Sequence, residues 1–349
     1  MRVLVTGGAG FCGSNFIRYV LTEHADIAVV NFDKLTYAGN LENLADINDD
    51  PRFRSRYRFL RGDIADAEVL EELFEESFDA VINIAAESHV DRSLENAEPF
   101  LRTNYLGTHT LLEAARRHRI GRFVHISTDE VYGPAPPGVC FREDAPLHPR
   151  NPYAASKAAA DLLVLAHVHS YALPAVIVRS SNNYGPYQFP EKLIPLVIAN
   201  ALENKPLPLY GDGLHEREWL YVEDACRAIT LLLERGVPGE IYNVSGATQY
   251  TNLAVVHAIL AQLDKPRSLI RFVEDRPGHD RRYALDSSKI RALGWAPQHD
   301  FEAGLRQTIA WYRSHSEWLT RARSGEYRNY YERHYERRTE TLKKLGGHR

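Results

Sequence analysis

Short apolar runs alternate with longer amphipathic stretches through the first half of the chain. The runs predict buried strands at 2–6, 27–32, 57–63, 78–85, 123–126 and 175–179. The stretches between them, where apolar residues recur at helical spacing, predict helices at 14–22, 68–74, 106–117 and 153–170. Buried strands that alternate with helices are typical of a parallel, doubly wound sheet, so we expect an α/β fold.

A glycine-rich turn joins the first strand to the first helix. Its glycines fit either a GxGxxG spacing that begins at Gly8 or a GxxGxxG spacing that begins at Gly7, and both end at Gly13. Either spacing would let the backbone approach a pyrophosphate at a helix N-terminus. Asp33 ends the second strand, where an acid would accept the ribose 2′-hydroxyl and repel a 2′-phosphate. With strand, helix and acid in place, the turn predicts a Rossmann-type domain that binds NAD, in preference to a glycine turn without a ligand.

Further candidate cofactor contacts follow at the ends of other strands. Lys34, beside Asp33, weakens the preference for NAD over NADP. Asp63 could reach an adenine amino group or, about equally well, cap the helix at 68–74. Ala85 and Ala86 are small enough for a cofactor to lie close to the backbone.

Polar residues of catalytic character follow the fifth strand. Thr128, Asp129 and Glu130 would lie at the carboxyl edge of the sheet, where open α/β sheets bind their ligands. Two adjacent carboxyls can serve as acid and base when their pKa values are separated, although either could equally be a helix cap or a solvated charge. Tyr153 and Lys157 are one helical turn apart and would share a face. We expect the ammonium of Lys157 to lower the pKa of Tyr153 and make it a base near neutral pH.

The chain changes character after residue 180, where turns and prolines become frequent. Helices are predicted at 193–202, 253–263 and 301–312, the second of them capped by Asn252, and strands at 219–222 and 241–244. We expect a Rossmann domain at 1–180, to which later segments return, and a smaller α/β substrate-binding domain at 181–320. The charged, tyrosine-rich tail at 321–349 is interpreted as either a surface helix or an interaction arm.

Composition narrows the class of protein. The chain has 349 residues, 44% of them hydrophobic, so it can bury a sizeable core, and its net charge of −4 argues against nucleic-acid binding. Its three cysteines are far apart and lack metal-ligand spacing, so we expect neither a disulfide framework nor a metal site. No apolar run reaches the ~20 residues needed to span a bilayer, and the first strand leaves no room for a signal peptide. These features predict a cytoplasmic protein without a membrane partner.

Six longer motifs carry a family resemblance. They are Thr-Gly-Gly-Ala-Gly-Phe at 6–11, Asp-Lys-Leu-Thr-Tyr-Ala-Gly-Asn-Leu at 33–41, Ala-Ala-Glu-Ser-His-Val-Asp-Arg-Ser at 85–93, Ser-Thr-Asp-Glu-Val-Tyr-Gly at 127–133, Ser-Asn-Asn-Tyr-Gly-Pro-Tyr-Gln-Phe-Pro-Glu-Lys-Leu-Ile-Pro at 181–195 and Arg-Pro-Gly-His-Asp-Arg-Arg-Tyr at 276–283. With them, residues 1 to about 312 resemble the extended short-chain dehydrogenase/reductases. Within that superfamily the chain is similar to the 4,6-dehydratases of the NAD-dependent epimerase/dehydratase family.

The resemblance implies NAD as cofactor and dTDP-glucose as substrate, which is converted to a 4-keto-6-deoxy sugar. It implies that Tyr153 takes the O4 proton, and that Thr128 hydrogen-bonds O4. Glu130 would remove the C5 proton, and Asp129 would protonate the departing C6 hydroxyl. Lys157 would hold the nicotinamide ribose. A homodimer formed through helices of the cofactor domain is also implied.

The resemblance further assigns residues to each ligand. The cofactor side is matched at Gly7, Gly10, Phe11, Cys12, Gly13, Asp33, Lys34, Leu35, Thr36, Asp63, Ile64, Ala85, Ala86, Ser88, Thr103, Tyr153, Lys157 and Asn182. The substrate side is matched at Ser88, Thr128, Asn183, Lys192, Leu193, Pro208, Leu209, Tyr210, Arg217, Asn252, Asp275, Arg276 and His279. Lys192 and Arg217 would neutralise a diphosphate, whereas Leu193 and Tyr210 could equally be ordinary core residues.

Two residues depart from the family pattern. Cys12 stands where isoleucine is usual in the cofactor turn, and Glu218 stands where aspartate is usual beside the sugar-nucleotide pocket. Other functions remain open at this stage. The chain could be another nucleotide-sugar epimerase, decarboxylase or dehydratase, or a catalytically silent NAD-binding sensor on the same fold. The adjacent Asp129 and Glu130 argue against an epimerase, and the presence of Tyr153 and Lys157 argues against a sensor.

Overall fold

The computed structural model describes residues 1–246, 248–324 and 326–345. Its strands are β1 (Arg2–Thr6), β2 (Ala28–Asp33), β3 (Tyr57–Arg61), β4 (Ala80–Asn83), β5 (Arg122–Thr128), β6 (Ala175–Ser180), β7 (Asn182–Tyr184), β8 (Leu207–Tyr210), β9 (Glu216–Tyr221), β10 (Ile241–Val244), β11 (Gln249–Thr251) and β12 (Ile270–Val273). Its helices are α1 (Phe11–Glu23), α2 (Ala45–Asp49), α3 (Ala67–Phe74), α4 (Val90–Glu95), α5 (Glu98–Phe100), α6 (Thr108–Arg117), α7 (Pro152–Tyr171), α8 (Leu193–Leu202), α9 (Val222–Arg235), α10 (Asn252–Leu263), α11 (Ser288–Ala292), α12 (Phe301–Ser314), α13 (Ser316–Ala322), α14 (Glu326–Tyr331) and α15 (Arg338–Leu345). Short 3₁₀ turns lie at Leu41–Leu44, Asp129–Tyr132 and Arg267–Leu269, and π-helical turns at Leu101–Gly107 and Glu332–Glu336.

Seven parallel strands form the central sheet, in the order β10-β6-β5-β4-β1-β2-β3. Thr6 at the end of β1 lies opposite Phe32 of β2 on one side and Asn83 of β4 on the other. The order of strands therefore reverses between β1 and β4, and such a switch point opens a crevice at the carboxyl edge of the sheet. The predicted doubly wound parallel sheet of the Rossmann type is confirmed.

Both faces of this sheet are buried, because residues along each strand alternate between two cores. In β1, Val3 and Val5 belong to the core that α1 and α9 complete, and Leu4 belongs to the core that includes residues of α3, α6 and α7. The strands are held rigidly from both sides, so their carboxyl ends make a firm platform for a site. No helix within the described ranges is long and apolar enough to cross a bilayer.

A second group of elements is built largely from the later part of the chain. β7, β9 and β11 form a three-stranded sheet, and β8 pairs in parallel with β12. Helices α8, α10 and α12 contribute to its separate core, in which Ile198, Ile259 and Leu305 are fully or almost fully buried. In between, α9 and β10 return to the central sheet. The boundaries of the expected domains at 1–180, 181–320 and 321–349 stay predictions.

Several predicted details are wrong. Thr251, not Asn252, caps α10, since its Oγ1 accepts the Ala254 N–H. Asp66 rather than Asp63 caps α3, accepting the N–H groups of two residues in its first turn. The fourth strand spans only Ala80–Asn83 of the predicted 78–85. Strands β7, β8, β11 and β12 were not predicted, because segments of three or four residues are too short to show a period of two.

Candidate active site

The carboxyl ends of the first six strands of the sheet surround a cavity, called here the cofactor cavity. Almost all of the predicted cofactor residues line it. They are Gly7, Gly10, Phe11, Cys12, Gly13, Asp33, Lys34, Thr36, Asp63, Ile64, Ala85, Ala86, Ser88, Thr103, Tyr153, Lys157 and Asn182. Leu35 lies outside the lining and acts through its backbone, which donates a hydrogen bond to the side chain of Asp33 over 2.7 Å.

The glycine turn resolves into one of its two possible spacings. Gly7, Gly10 and Gly13 face the cavity, whereas Gly8 packs on Asn31 and Ile17. Gly7 has a φ of +71°, and a Cβ there would lie 2.6 Å from the backbone of Ala85, just beyond β4, so no other residue fits. Gly10 is the N-cap of α1 and offers no side-chain hydrogen bond to the first turn. The free N–H groups of that turn therefore point at a place suited to a pyrophosphate.

Asp33 sits at the end of β2, where it is almost completely buried. Its Oδ2 accepts the Ala9 N–H over 2.9 Å and its Oδ1 accepts the Leu35 N–H. Burial raises the pKa of Asp33, and these two hydrogen bonds oppose the rise. The carboxylate is thus fixed at the ribose end of the cavity, at the position where an acid selects against a 2′-phosphate.

Lys34 is tied to Asp63 by an ion pair of 2.7 Å. Burial would raise the pKa of Asp63, but Lys34, the Ala65 N–H and Arg102 outweigh it and lower the pKa. Because the ammonium of Lys34 is engaged in this pair, it has less capacity to attract a 2′-phosphate than the sequence suggests.

The acid–base group begins where β5 ends. Thr128 caps the 3₁₀ turn at Asp129–Tyr132 by accepting the Glu130 N–H over 3.3 Å. This turn presents Asp129 and Glu130 at the carboxyl edge of the sheet, where both line the cofactor cavity. Glu130 Oε2 accepts from Asn151 Nδ2 over 3.1 Å, so its orientation is fixed by the start of α7.

Asp129 is buried, and its Oδ2 has no hydrogen-bond partner among the residues that the structure describes. Burial, and after it the charge of Glu130, raise the pKa of Asp129 from 3.8 to about 8. Its carboxyl therefore keeps its proton at neutral pH and can act as an acid. A protonated carboxyl beside a second carboxyl is the arrangement of acid and base that an elimination of water requires.

Tyr153 and Lys157 lie on one face of α7 and both line the cavity, as their spacing predicts. The predicted lowering of the pKa of Tyr153 by Lys157 is wrong for the structure as it stands. Burial, and next the charge of Glu130, raise the pKa of Tyr153 well above its ordinary value, and only its hydrogen bond with Thr128 opposes them appreciably. The ammonium of Lys157 instead donates to the Ile126 carbonyl over 2.6 Å, and burial lowers its pKa from 10.5 to about 8.

A second cavity, called here the substrate cavity, continues from the first. The two share Ser88, Glu130, Asn182, Asn183, Gln188, Glu191 and Lys192. The predicted substrate residues in its wall are Ser88, Asn183, Lys192, Leu193, Pro208, Leu209, Tyr210, Arg217, Asn252, Arg276 and His279. Thr128 lines only the cofactor cavity, and Asp275 lies behind the wall.

Three cations line the substrate cavity, of which Arg217 is buried and Lys192 and Arg276 are half-buried. Lys192 Nζ donates to the Ser88 carbonyl over 2.8 Å, and burial lowers its pKa. The guanidinium of Arg217 lies 4.2 Å from the centre of the Tyr283 ring and donates to the Asp280 carbonyl over 2.8 Å. Arg276 reaches the carboxylate of Asp91 over 3.3 Å. Cations held at fixed positions in a wall of this kind suit the two phosphates of a nucleotide sugar.

Asp275 orders the loop that carries His279. Its two carboxylate oxygens lie 2.6 Å from His279 Nδ1 and 3.1 Å from His215 Nε2, and the two imidazole rings stack with centroids 3.7 Å apart. These three side chains are close enough to hold a metal ion, but each imidazole already bonds to a separate carboxylate oxygen. The geometry is that of a hydrogen-bonded brace, and it leaves the other face of His279 toward the substrate cavity.

Other wall residues were not foreseen. In the substrate cavity they are His89, Val90, Asp91, Gln188, Glu191, Leu196, Trp219, Tyr283 and Tyr335. Most of them lie inside or beside the longer motifs, so their place in a motif could have been used to predict that they line the site. Tyr335 had no such signal, since it belongs to the tail whose role the sequence left open.

The two departures from the family pattern have different environments. Cys12 lines the cofactor cavity, accepts from Asn183 Nδ2 over 3.7 Å, and burial raises its thiol pKa to about 11, so it is an inert neutral thiol. Glu218 lies outside both linings. Its Oε2 accepts the Leu285 N–H over 3.1 Å and its Oε1 accepts from Gln249 over 3.4 Å, which fastens β9 to the segments on either side.

Fold and site together define a Rossmann-type protein with an acid–base centre between a dinucleotide crevice and a cationic cavity. The GDP-mannose 4,6 dehydratase family model matches residues 4–308. The chain therefore belongs to this family of nucleotide-sugar dehydratases, and the resemblance seen in its motifs is confirmed.

Individual relatives sharpen this similarity. The chain is 49% identical to dTDP-glucose 4,6-dehydratase 1 of Escherichia coli (strain K12), over 97% of this chain and 100% of the relative. Its structure resembles the crystal structure of dTDP-glucose 4,6-dehydratase from Streptomyces venezuelae with NAD bound, with a TM-score of 0.89 and 48% identity over 92% of this chain and 100% of that one. It is also similar to the UDP-glucose 4-epimerase of Thermus thermophilus in complex with NAD, with a TM-score of 0.83 and 33% identity over 90% and 100%.

Proposed function

We propose that the chain is an NAD-dependent hydro-lyase, a dTDP-glucose 4,6-dehydratase, which converts dTDP-glucose to dTDP-4-keto-6-deoxyglucose and water. The observation that carries this proposal is the buried carboxyl of Asp129 next to Glu130, the residue that lines both the cofactor cavity and the substrate cavity. The near-full-length similarity to dTDP-glucose 4,6-dehydratases supports the same substrate.

The residues of the cofactor cavity fit NAD. The glycine turn and the first turn of α1 would hold the pyrophosphate, and the fixed carboxylate of Asp33 would bind the adenosine ribose. Asn182 Oδ1 is buried in the lining without a partner among the described residues, so it offers a ready acceptor. When bound, NAD accepts hydride from C4 of the sugar and later returns it to C6, so no net oxidation results.

Tyr153 is the base for the first proton, that of the O4 hydroxyl. Because burial and Glu130 keep the free phenol protonated, the role requires positive charge brought near it. The nicotinamide of NAD⁺ would supply that charge, Lys157 would hold the nicotinamide ribose, and Thr128 would hold O4 in line. Withdrawal of hydride from C4 leaves a ketone, and the ketone makes the C5 hydrogen acidic.

Glu130 and Asp129 complete the elimination. Glu130 takes the C5 proton, and Asp129 gives its proton to the C6 hydroxyl, which leaves as water. When C6 receives hydride, Glu130 returns a proton to C5, and the proton taken from O4 restores Asp129 through solvent. The raised pKa of Asp129 matches the acid role, because the proton is present at neutral pH before the substrate reacts. A C4 epimerase needs no such pair, and this distinguishes the proposal from an epimerase function on the same fold.

The substrate cavity would bind the nucleotide sugar with its diphosphate near Lys192 and Arg217. Asn183 lies at the junction and would hold the sugar, while Tyr210 and Leu193 would contact the nucleoside. Arg276 and His279 would close the far wall of the cavity. The domain boundaries given from the sequence are proposed together with this division of labour.

The chain would act as a homodimer. Along the π-helical turn at Leu101–Gly107, Leu101, Tyr105 and Leu106 are between 42% and 52% exposed, and Leu162 of α7 is 59% exposed. Large apolar side chains on neighbouring helices of the cofactor domain make a suitable self-association surface. Free, widely separated cysteines also fit the expected cytoplasmic location.

The test is incubation of the pure protein with dTDP-glucose and no added cofactor, with product followed by mass and by the alkaline absorbance of the ketone. Loss of one water without net formation of NADH is the expected result. Turnover of a UDP or GDP sugar in its place would keep the mechanism and overturn the substrate. No reaction with any of these sugars, even with added NAD⁺, would favour the silent sensor.

A further inference from the structure

The C-terminal segment, residues 326–345, is folded against the substrate cavity rather than away from it. It consists of α14, the π-helical turn at Glu332–Glu336 and α15. Tyr335, in that turn, lines the substrate cavity, with its ring centroid 6.0 Å from that of Tyr210. We propose that Tyr335 is a nucleotide-binding residue, which the C-terminal segment brings into the substrate site. The inference rests on the proposed function, because the nucleotide sugar is the ligand in question.

Specific contacts hold the segment in this position. The guanidinium of Arg338 lies 4.2 Å from the centre of the Tyr210 ring, and its Nε donates to the Glu274 carbonyl over 2.5 Å. On the other side, the hydroxyl of Tyr330 lies 3.1 Å from His89 Nε2. Arg338 and Tyr330 are both almost completely buried, so these are interior contacts and not surface ones. The segment is therefore fastened to both walls of the cavity.

The position of Tyr335 indicates which part of the ligand it meets. The sugar must react at Glu130 and Asn182, where the substrate cavity joins the cofactor cavity. Tyr335 lies in the remainder of the cavity, which also has an apolar lining of Leu193, Leu196, Pro208 and Leu209. An apolar lining with an aromatic ring suits the flat face of a nucleoside base, and base stacking on aromatic rings is tolerant of small shifts. Tyr335 would therefore contact the base and not the sugar.

The experiment compares dTDP binding to the full-length protein and to Tyr335→Ala by calorimetry. The dissociation constant for dTDP is expected to rise about tenfold, which corresponds to about 1.4 kcal/mol. The KM for dTDP-glucose should rise by a similar factor, while kcat at saturating substrate and the affinity for NAD stay within about twofold. Tyr335→Phe should bind dTDP nearly as well as the wild type, because it keeps the ring.

Tyr327→Ala is the matched control. Tyr327 belongs to the same segment, and its hydroxyl donates to the Pro190 carbonyl over 3.3 Å, but it lies outside the substrate cavity. Wild-type affinity for dTDP in Tyr335→Ala would overturn the proposal, and so would an equal loss in both variants, which would assign the effect to packing of the segment. If Tyr335→Ala does not fold, Tyr335→Leu keeps apolar volume without an aromatic face and carries the same expectation.

Titration of the wild type with dTDP, UDP and GDP separates this inference from the proposed function. Preference for UDP or GDP would reject dTDP-glucose as substrate, yet Tyr335→Ala should then lose affinity for the preferred nucleotide by the same factor. Undiminished binding of that nucleotide to Tyr335→Ala would reject the role of Tyr335 whichever substrate is correct.

Discussion

The cofactor cavity and the substrate cavity share a boundary at Glu130 and Asn183, but they are built in different ways. Much of the wall of the first comes from the ends of strands in one parallel sheet, so for those residues the place along the chain predicts the place in the cavity. The second gathers side chains from α4, α8, β8, β9 and the segment at 326–345, which lie in no regular repeat. The residues of a site built on a regular strand–helix repeat can be predicted from their positions in the sequence. The residues of a site assembled from separate elements and a terminal segment can be predicted only where they belong to longer motifs.

The two cavities also differ in their electrostatics. The cofactor cavity offers backbone N–H groups and the carboxylates of Asp33 and Asp63, whereas the guanidinium groups of Arg217 and Arg276 line only the substrate cavity. Buried Asp129 at the junction retains its proton and Lys157 has a lowered pKa. The strongest perturbations of catalytic groups thus fall where the two cavities meet, and variants there should have the largest effects.

Tyr153→Phe should have the largest effect, because the O4 proton then has no acceptor. A general base contributes roughly 10²–10⁴ to the rate, and we expect kcat to fall by about 10³. Bound NAD, measured by absorbance after denaturation, should be unchanged. Tyr242→Phe removes another buried phenol, which lines neither cavity, and serves as control. A kcat within tenfold of the wild type in Tyr153→Phe would remove Tyr153 from the base role.

Glu130→Gln and Asp129→Asn should separate the two halves of the elimination, each with a loss of about 10² in kcat. Glu130→Gln should still oxidise C4 but take up no deuterium at C5 in deuterated water. Asp129→Asn should keep the exchange at C5 and lose the departure of water. Unchanged exchange in Glu130→Gln would show that another group is the base.

The pKa of Asp129 at this junction determines whether kcat rises or falls with pH. The proposed mechanism uses the acid form of Asp129, and burial raises its pKa to about 8, so kcat of the wild type should fall as pH rises through 8. Folding is linked in the same direction. The folded pKa lies above the unfolded value near ~3.9, so stability decreases as pH rises between these values, and Asp129→Asn should unfold at a higher temperature than the wild type at pH 9 but not at pH 4.

Prediction from sequence succeeded where functional residues belong to a local pattern of strands, turns and helices. The strand–glycine–helix–acid pattern predicted the sheet and placed the glycine turn and Asp33 at the cofactor cavity, and the family resemblance supplied most of the other lining residues. Prediction from sequence failed for the pKa values of catalytic groups, because burial determines them. The raised pKa values of Asp129 and Tyr153 arise mainly from burial, which spacing in a sequence does not reveal. Tyr335 could not have been assigned, because its neighbours in the cavity wall, Tyr210 and Arg276, are distant in sequence and come together only in the folded chain.

Asp33→Asn should have an intermediate effect, and it tests the cofactor cavity, whose residues are the easier to predict from the sequence. The amide keeps an acceptor for the Leu35 N–H but loses the charge that repels a 2′-phosphate. NAD affinity should fall about tenfold, and discrimination against NADP should fall by a similar factor. Both affinities can be measured by fluorescence titration of the cofactor-free protein. An unaltered ratio of NAD to NADP affinity would show that Asp33 does not contact the ribose.

Glu218→Asp should have the smallest effect, although it restores the residue usual in the family. Because Glu218 lies outside both cavities, the KM for dTDP-glucose should change by less than about twofold. Shortening the side chain draws its carboxylate away from the Leu285 N–H and from Gln249, and each hydrogen bond contributes about 0.5–1.5 kcal/mol. The thermal unfolding temperature should therefore fall by a few degrees, as calorimetry would show. A tenfold change in KM without loss of stability would mean that the substitution is transmitted along β9 to Arg217. Residues behind the lining would then influence the affinity of the substrate cavity as much as the lining residues do.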